Sequence, residues 1–576
     1  MSGRQKGWLV YGLLLFAAFT FRAAVARFLP NDEPDDGRIY AQFARNLLEH
    51  HVYSPAADPP YSPSLIRLPG YPGFLAAVYA VFGHLDNTAV RIIQALIDTA
   101  SCGLIALIVF HWEPDEKRKR PASIVALALA AICPFTTIYV ATILTETITI
   151  FLAIAMCLAA TLAFKSSTVE RSMVLWFITG LIAGIAVLFR PDSGLFAAAI
   201  GITLVISILV GWDHVSRKED IKPGKWTRLL RSFYVGGLFS LAFCLALSPW
   251  TIRNWRLFHV FQPLAPPHAE MPGEFVPHGY LRWLRTWLDD QRYIGPMLWS
   301  LDELPIKITD IPDRAFDSPQ QKLRVATLLE KYNQKEDNLL QPGTEVNNQN
   351  ALPTTSPPQI SPSPQPLVTP SPEKPNPNQP DTSGGEESEE SADAEEDTEN
   401  DEAEEEEPAE ETEAPPPGAV EMTPDIDQGF AAIARERISH APLRYYLILP
   451  CKRAVYLWFD THSQYYPFDG ELLPLEDLDY DIQQHLWLPL FAGLTWIYTL
   501  LGVAGGWYLW SAGKFAARRW LLLAVLMIFI RLAFFSSIEN PEPRYVVEIF
   551  PFLAIMGGTA VAQLFAFSKP AQRVET

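Results

Sequence analysis

Long apolar runs separated by polar connections dominate the chain. A helix needs about 20 apolar residues to cross the hydrocarbon core of a membrane, and runs of about that length recur along the sequence. This pattern predicts an all-α fold, a polytopic membrane bundle of about ten transmembrane helices. The expected spans are 8–27, 88–111, 122–142, 147–164, 173–189, 193–211, 233–251, 486–510, 520–536 and 545–567.

The predicted spans form two groups, and a long segment without spans separates them. This spacing indicates two membrane domains joined through a large region on one side of the membrane. Within that region two amphipathic, aromatic-rich segments flank an insert of different composition. The predicted divisions are an N-terminal membrane domain at 1–260 with its first outer loop at 28–87, an outer segment at 261–340, an insert at 341–424, a second outer segment at 425–485 and a C-terminal membrane domain at 486–576.

Shorter apolar stretches in the predicted outer loops follow helical spacing without being long enough to span. In the first outer loop these are residues 40–48 and 71–83, and both are typical of interfacial helices lying along a membrane surface. In the large loop the corresponding pieces are 280–300 and 428–459. We expect the latter two to pack on the outer face of the bundle.

The insert explains an overall composition that is unusual for a membrane protein. Mean hydropathy is only +0.08 and the net charge is −20. Residues 386–413 alone contain 18 acidic side chains and no basic one, so the rest of the chain carries a net charge of −2. Residues 341–424 are rich in Pro, Ser, Asn and Glu, and they contain too few apolar side chains to form a core. We therefore predict a disordered acidic insert.

The distribution of Lys and Arg predicts the orientation of the bundle. With a cytoplasmic N-terminus, the inside segments contain 19 Lys and Arg residues, whereas the short outside turns contain only Arg190 and Arg544. Cytoplasmic loops of membrane proteins carry such an excess. We therefore predict a multi-pass protein of the cell (inner) membrane with both termini in the cytoplasm, so that 28–87 and 252–485 lie outside.

The sequence gives no indication of a metal centre or a nucleotide site. Its five cysteines show no ligand-like spacing and no disulfide framework. Neither GxGxxG nor GxxxxGK[ST] occurs. We therefore assign no metal and no cofactor, and no nucleic-acid partner.

Acidic and basic residues recur in nearly every predicted outer turn. The ordinary explanations are a solvated acidic loop and arginines that anchor helix ends at the interface. The recurrence of both signs at one face favours a functional site, because arginines can bind a lipid-linked phosphate bidentately and a carboxylate can take a proton from an acceptor hydroxyl. The charged residues concerned include Asp35, Asp36, Glu146, Arg190, Asp192, Arg253, Glu542 and Arg544, and Tyr545 follows the last of them.

Seven short motifs occur in an order that is similar to a known enzyme group. They are D-x-x-x-Y-x-x-x-A at 36–44, R-x-P-G-Y-P at 67–72, R-x-x-Q-A-L at 91–96, T-E at 145–146, G-x-x-x-L-x-R-P-D at 184–192, P-W-x-x-R-N at 249–254 and P-R-Y at 543–545. Together they resemble the GT-C superfamily of polyprenyl-phosphate-sugar glycosyltransferases, in the branch related to protein O-mannosyltransferases and the lipid A aminoarabinose transferase. The resemblance covers about 1–260 and 486–567, and the insert has no counterpart in it.

The resemblance implies a function and a role for each matched residue. It implies an inverting glycosyltransferase that moves a sugar from a polyprenyl-phosphate donor to an acceptor glycan, lipid or protein outside the cytoplasm. Asp36 matches the catalytic base; Asp35 is its rival, and the spacing to Tyr40 favours Asp36. Glu146 matches a second acid near the site. The residues implied for the donor phosphate are Arg67, Arg190, Arg253, Arg544 and Tyr545.

Two other kinds of protein are consistent with parts of the sequence. A polytopic transporter or lipid flippase would place charges near the bilayer midplane, and Asp98 and Arg531 are the candidates within predicted spans. No internal repeat supports this alternative. A structural or sensory protein could use the acidic insert to bind cations or a partner, but this function would leave the ordered outer motifs without a purpose.

Overall fold

The computed structural model describes residues 3–30, 35–83, 85–212, 225–334, 420–462, 464–468 and 482–567. Over these ranges the chain is helical and contains no β-strand, which confirms the predicted all-α class. The predicted insert at 341–424 lies outside the described residues except for its last five positions.

The helices follow the predicted apolar runs closely. The helices of the described ranges are α1 (Gly3–Phe28), α2 (Asp35–Glu49), α3 (Gly70–Phe82), α4 (Asn87–Trp112), α5 (Lys119–Ala131), α6 (Pro134–Thr137), α7 (Glu146–Lys165), α8 (Val169–Phe189), α9 (Gly194–Val210), α10 (Lys225–Phe258), α11 (His278–Leu284), α12 (Pro319–Asn333), α13 (Pro424–His440), α14 (Leu449–Phe459), α15 (Ile482–Ser511), α16 (Phe515–Ser536) and α17 (Phe550–Phe567).

The membrane bundle has the predicted size. Nine helices in the described part of the chain are long and apolar enough to span a membrane, and there are ten if α5 and the helical turns after it count as one bent span. That bent pair, Lys119–Ala131 and Pro134–Val140, turns by 53°. The sequence predicted one continuous span at 122–142. The structure instead has two helical pieces here, with a bend between them.

A proline and a buried arginine explain the bend. Pro134 follows Cys133 at the break and has no N–H to continue the helical ladder. Two carbonyls at the end of α5 accept hydrogen bonds from Arg22, whose Nη1 lies 2.9 Å from Ala131 O and whose Nη2 lies 3.1 Å from Ala130 O. Arg22 therefore completes the hydrogen bonding of the break.

Arg22 is itself neutralised inside the bundle. Its Nε lies 2.6 Å from Asp98 Oδ2 of α4, and the Arg22 side chain is fully buried. Although Arg22 lies in a predicted span, the sequence pattern alone did not reveal that it contacts the broken helix. Removing one member of a buried ion pair leaves an uncompensated charge, which is more costly than replacing both members by apolar side chains.

We expect Arg22→Leu to lower the free energy of unfolding by about 3–5 kcal/mol. The double variant Arg22→Leu/Asp98→Leu should recover part of that loss, because it leaves no buried carboxylate alone. Thermal unfolding of the detergent-purified protein measures both. A double variant no more stable than Arg22→Leu would show that the ion pair does not set the cost.

Helix α4 also holds the chain beyond the break. Gln94 Nε2 donates to the carbonyls of Val140 and Thr142 at 3.2 and 2.9 Å, and Arg91 Nε donates to Ala141 O at 2.9 Å. Because positions 91, 94 and 98 share one face of a helix, α4 contacts the bent segment along its length. This segment leads directly into Glu146 at the start of α7.

The two short helices of the first outer loop are present as predicted. Helix α2 packs against α3, and the rings of Tyr40 and Tyr71 meet edge to face at 5.2 Å. Helix α3 is apolar but too short to span. Ala44, Tyr71 and Leu75 are buried in the same cluster, so these helices cover the predicted outer end of the bundle.

The large-loop segments were expected to pack on the outer face of the bundle, but much of their apolar surface is buried between the segments themselves. Residues 280–332 and 420–434 form a hydrophobic core of their own, in which Trp283, Trp287 and Phe430 are almost completely buried. Val420 and Met422, from the end of the predicted insert, belong to this core. Each amphipathic segment buries its apolar face against the other. The helical spacing within one segment shows which face is apolar, but it does not show what covers that face.

The later part of the second segment packs on the membrane bundle. Helix α14 contacts α16, and its Leu457 belongs to the main core of the bundle. A polar junction joins the loop core to the bundle as well, because Arg285 Nε lies 2.5 Å from Glu539 Oε2 and His268 Nε2 lies 3.4 Å from Glu539 Oε1. These hydrogen bonds outweigh burial and lower the pKa of Glu539 to about 2.

Candidate active site

Five segments at one end of the bundle bring charged side chains together. They are the start of α2, the connection between α2 and α3, the turn before α7, the turn between α8 and α9, and the turn that follows α16. Most of these segments are far apart in sequence, and the apolar helices between them place them at the same end of the bundle. The charged side chains form two groups that meet at Tyr545.

The outer group surrounds Asp36 on α2. Its Oδ1 lies 3.0 Å from Arg67 Nη2, and its Oδ2 lies 3.5 Å from Arg544 Nη2. Asp36 and Arg67 keep 30% and 27% of their side-chain surface exposed. Arg544 is more enclosed, and Glu542 fixes it from behind through an ion pair of 2.6 Å to Nε. Asp36 is therefore a carboxylate that two guanidiniums flank and that solvent reaches.

The inner group is buried beneath the outer one. Arg190 Nη1 lies 2.8 Å from Glu146 Oε1, and its Nε lies 3.2 Å from Asp192 Oδ1. Arg531 of α16 pairs with Asp192 at 2.5 Å and with Glu548. Glu146 is only 4% exposed. Three carboxylates face two guanidiniums, so this group has one excess negative formal charge.

Tyr545 lies between the two groups. The guanidinium carbons of Arg190 and Arg544 lie 5.3 and 5.1 Å from the centre of its ring. Its backbone carbonyl accepts a hydrogen bond of 2.6 Å from Arg531 Nε. The prolines at 541 and 543 restrict the turn that presents Arg544 and Tyr545. Tyr545 thus contacts three arginines of the site, Arg190 and Arg544 through its ring and Arg531 through its backbone carbonyl.

The spacing of Asp36 and Tyr40 places both on one face of α2. Tyr40 contacts Tyr71 by its ring. Burial first, and then the neighbouring Asp36 carboxylate, raise the pKa of Tyr40 to about 12. Tyr40 therefore keeps its proton at neutral pH and is a hydrogen-bond donor beside the candidate base.

Six of the eight predicted site residues thus lie in or between the two groups, Arg253 does not, and the side chain of Asp35 is outside the described part of the chain. Arg253 Nη1 donates to Ser64 O at 2.7 Å, and its guanidinium stacks between aromatic rings, with Trp250 at 4.7 Å. No ion pair joins Arg253 to Asp36 or Glu146 among the described residues. The backbone of Asp35 begins α2, but its side chain lies outside the described residues.

The structure adds residues that the sequence pattern did not assign to the site. Glu548 and Arg531 are charged residues within predicted apolar spans, and such placement is a signal of function or ion pairing. Tyr465 reaches the site from the large loop, where Arg544 Nη1 donates to its hydroxyl at 3.1 Å. No local pattern marks Tyr465, because its contact depends on how the large loop folds back.

The two residues considered for a transporter are both held in ion pairs. Asp98 pairs with Arg22, and Arg531 pairs with Asp192 and Glu548.

Within the described ranges, no cluster of three or more His, Cys, Asp or Glu side chains is arranged to hold a metal ion.

One known protein family matches part of the chain. Residues 63–218 match the model of the dolichyl-phosphate-mannose-protein mannosyltransferase family. The match indicates a glycosyltransferase of the GT-C type. The predicted resemblance to this branch is thereby confirmed. No curated protein and no solved structure matches the chain.

The match covers part of the candidate site of this glycosyltransferase. Arg67, Glu146 and Arg190 lie within the matched residues, whereas Asp36 and Arg544 lie outside them. The contacts of Asp36 with Arg67 and Arg544 therefore connect the matched region with both flanking parts of the chain.

Proposed function

We propose that this glycosyltransferase transfers one sugar, with inversion, from a polyprenyl-phosphate donor to an acceptor on the extracytoplasmic face of the membrane. The observation that carries the proposal is the position of Asp36 between Arg67 and Arg544. Guanidiniums bind phosphate bidentately. A donor phosphate bound by these two arginines would lie directly beside a carboxylate that solvent, and hence an acceptor hydroxyl, can reach.

The bond changes follow from this arrangement. The acceptor hydroxyl oxygen attacks the anomeric carbon and forms the new C–O bond, while Asp36 takes the hydroxyl proton. The bond between the anomeric carbon and the phosphate oxygen breaks, and its electron pair leaves with the polyprenyl phosphate. Arginines that neutralise the departing phosphate stabilise the charge that develops in the transition state. Attack opposite to the leaving phosphate inverts the anomeric centre.

The exposure of the two candidate acids supports Asp36 as the base. Glu146 is almost fully buried and its carboxylate is paired with Arg190, whereas Asp36 keeps nearly a third of its side-chain surface accessible. A general base must come within hydrogen-bond distance of the proton that it removes. Glu146 is better suited to fixing Arg190 beneath Tyr545, and we assign it that supporting role.

The sidedness rests on the distribution of charge in the loops. The short turns at the end of the bundle that carries Asp36 have few basic residues, and the opposite end has many. This asymmetry supports cytoplasmic termini and an extracytoplasmic site. The acceptor would then be a glycan, lipid or protein outside the cytoplasm.

A sided transfer assay tests both parts of the proposal. Spheroplasts that contain the protein are given a panel of short-chain polyprenyl-phosphate hexoses and pentoses from outside, with spheroplasts lacking the protein as the control. We expect protein-dependent release of the short-chain polyprenyl phosphate for at least one donor. Release only after permeabilisation would place the site on the cytoplasmic side. No release from any donor, before or after permeabilisation, would contradict the proposed reaction.

A further inference from the structure

A short segment of the large loop is fixed against the candidate site on both sides of Tyr465. His462 lies between the rings of Phe135 and Phe550, at 5.6 and 5.1 Å. Tyr466 donates to Pro134 O at 3.0 Å, at the break after α5. The loop is thus attached to the bent span, and Tyr465 occupies a defined position between these two contacts.

Tyr465 contacts both the bundle core and the candidate site. Its ring meets Tyr139 edge to face at 5.5 Å, and its hydroxyl accepts the hydrogen bond of 3.1 Å from Arg544 Nη1. Among the described residues, Arg544 is the side chain that hydrogen-bonds to this hydroxyl. A phenol that accepts one hydrogen bond can still donate its own proton.

The other nitrogens of Arg544 face different partners. Its Nε pairs with Glu542, and its Nη2 faces Asp36 Oδ2 at 3.5 Å and the Tyr545 hydroxyl at 3.4 Å. Nη1 alone is directed at the neutral phenol of Tyr465. Within the described ranges, Arg544 Nη1 therefore has no carboxylate partner that an approaching anion must displace.

The hydroxyl of Tyr465 is a donor at physiological pH. Burial raises the pKa of Tyr465 to about 12, more than the nearby guanidinium of Arg544 lowers it. The group therefore cannot act as a base at neutral pH. It can donate to an oxygen of a phosphate, which is an acceptor only.

We propose that Tyr465 is a further donor-contact residue, which binds the donor phosphate together with Arg544. The geometry joins the large loop to the phosphate site through this hydroxyl. The inference rests on the proposed function, because it assumes a phosphate ligand at Arg544.

Titration of undecaprenyl phosphate into the purified full-length protein in nanodiscs tests this assignment. We expect Tyr465→Phe to weaken binding by about 10- to 150-fold, the range for loss of a hydrogen bond to a charged group. Tyr466→Phe is the matched control, since it removes a neighbouring hydroxyl that bonds to a backbone carbonyl. It should keep the parental affinity while lowering the melting temperature.

A second substitution separates the hydroxyl from the ring. Tyr465→Leu removes both, and we expect its affinity to be close to that of Tyr465→Phe, because the hydroxyl carries the effect. Parental affinity in Tyr465→Phe, with or without a loss in Tyr465→Leu, would overturn the assignment. A parental protein that does not bind undecaprenyl phosphate at all would instead contradict the proposed function, and the assignment of Tyr465 with it.

Discussion

Asp36→Asn should reduce transfer of the sugar by about 10²- to 10⁴-fold, the usual contribution of a general base, while donor binding stays close to that of the parental protein. The amide keeps the size of the carboxylate but cannot accept the acceptor proton. Arg67 and Arg544 remain in place to bind the phosphate, because Arg544 is also held by Glu542. Single-turnover transfer and undecaprenyl phosphate titration measure the two effects separately.

The same loop offers a control for Asp36→Asn. Asp58 is exposed and lies in the same outer loop, so Asp58→Asn should leave both measurements unchanged. If Asp36→Asn turned over at the parental rate, the base would have to be another acid. Asp35→Asn and Glu146→Gln would then identify which of the remaining acids carries the role, and loss in neither would contradict a side-chain base at this site.

Arg544→Lys should weaken donor binding or turnover by about 10- to 150-fold, which corresponds to the loss of one charge-assisted hydrogen bond of roughly 1.5–3 kcal/mol. The expected loss follows from the different shapes of the guanidinium and ammonium groups. The planar fork of Arg544 contacts Glu542, Asp36 and Tyr465 with different nitrogens, and a lysine ammonium cannot reach in these directions together. Expression and orientation should not change, because the positive charge at the helix end is kept.

Arg45→Lys is the matched control for Arg544→Lys. Arg45 belongs to α2, is 48% exposed and pairs with Glu49 one helical turn away. Exposed pairs of this kind contribute little to stability, so we expect parental binding. Arg22→Lys is unsuitable as a control, because Arg22 is buried against Asp98 and the end of α5. Equal and small effects of Arg544→Lys and Arg45→Lys would identify Arg544 as an interfacial anchor.

Asp98 and Arg531 were recognisable from the sequence as charged residues within apolar runs, but their partners were not. Glu548 also lies in a predicted span, where ionised side chains are costly, but it was not among the predicted candidates. The pairing of Arg531 with Glu548 and Asp192 joins α16, the turn before α9 and the turn before α17. Such pairs depend on which helices are neighbours, and the periodicity of a single helix carries no information on that.

The sequence by itself determined the membrane spans, the two interfacial helices of the first loop and the family motifs at the predicted outer end. These follow from local physics, because burial in lipid requires a long apolar helix and an amphipathic helix shows its buried face by spacing. The tertiary structure alone decided that the large-loop segments share a core and that Arg22 hydrogen-bonds to the end of α5 at the bend. It also decided that Arg544 hydrogen-bonds to Tyr465 and that Arg253 hydrogen-bonds to the backbone of Ser64. Each of these depends on contacts between residues distant in sequence, which form only when particular helices pack together.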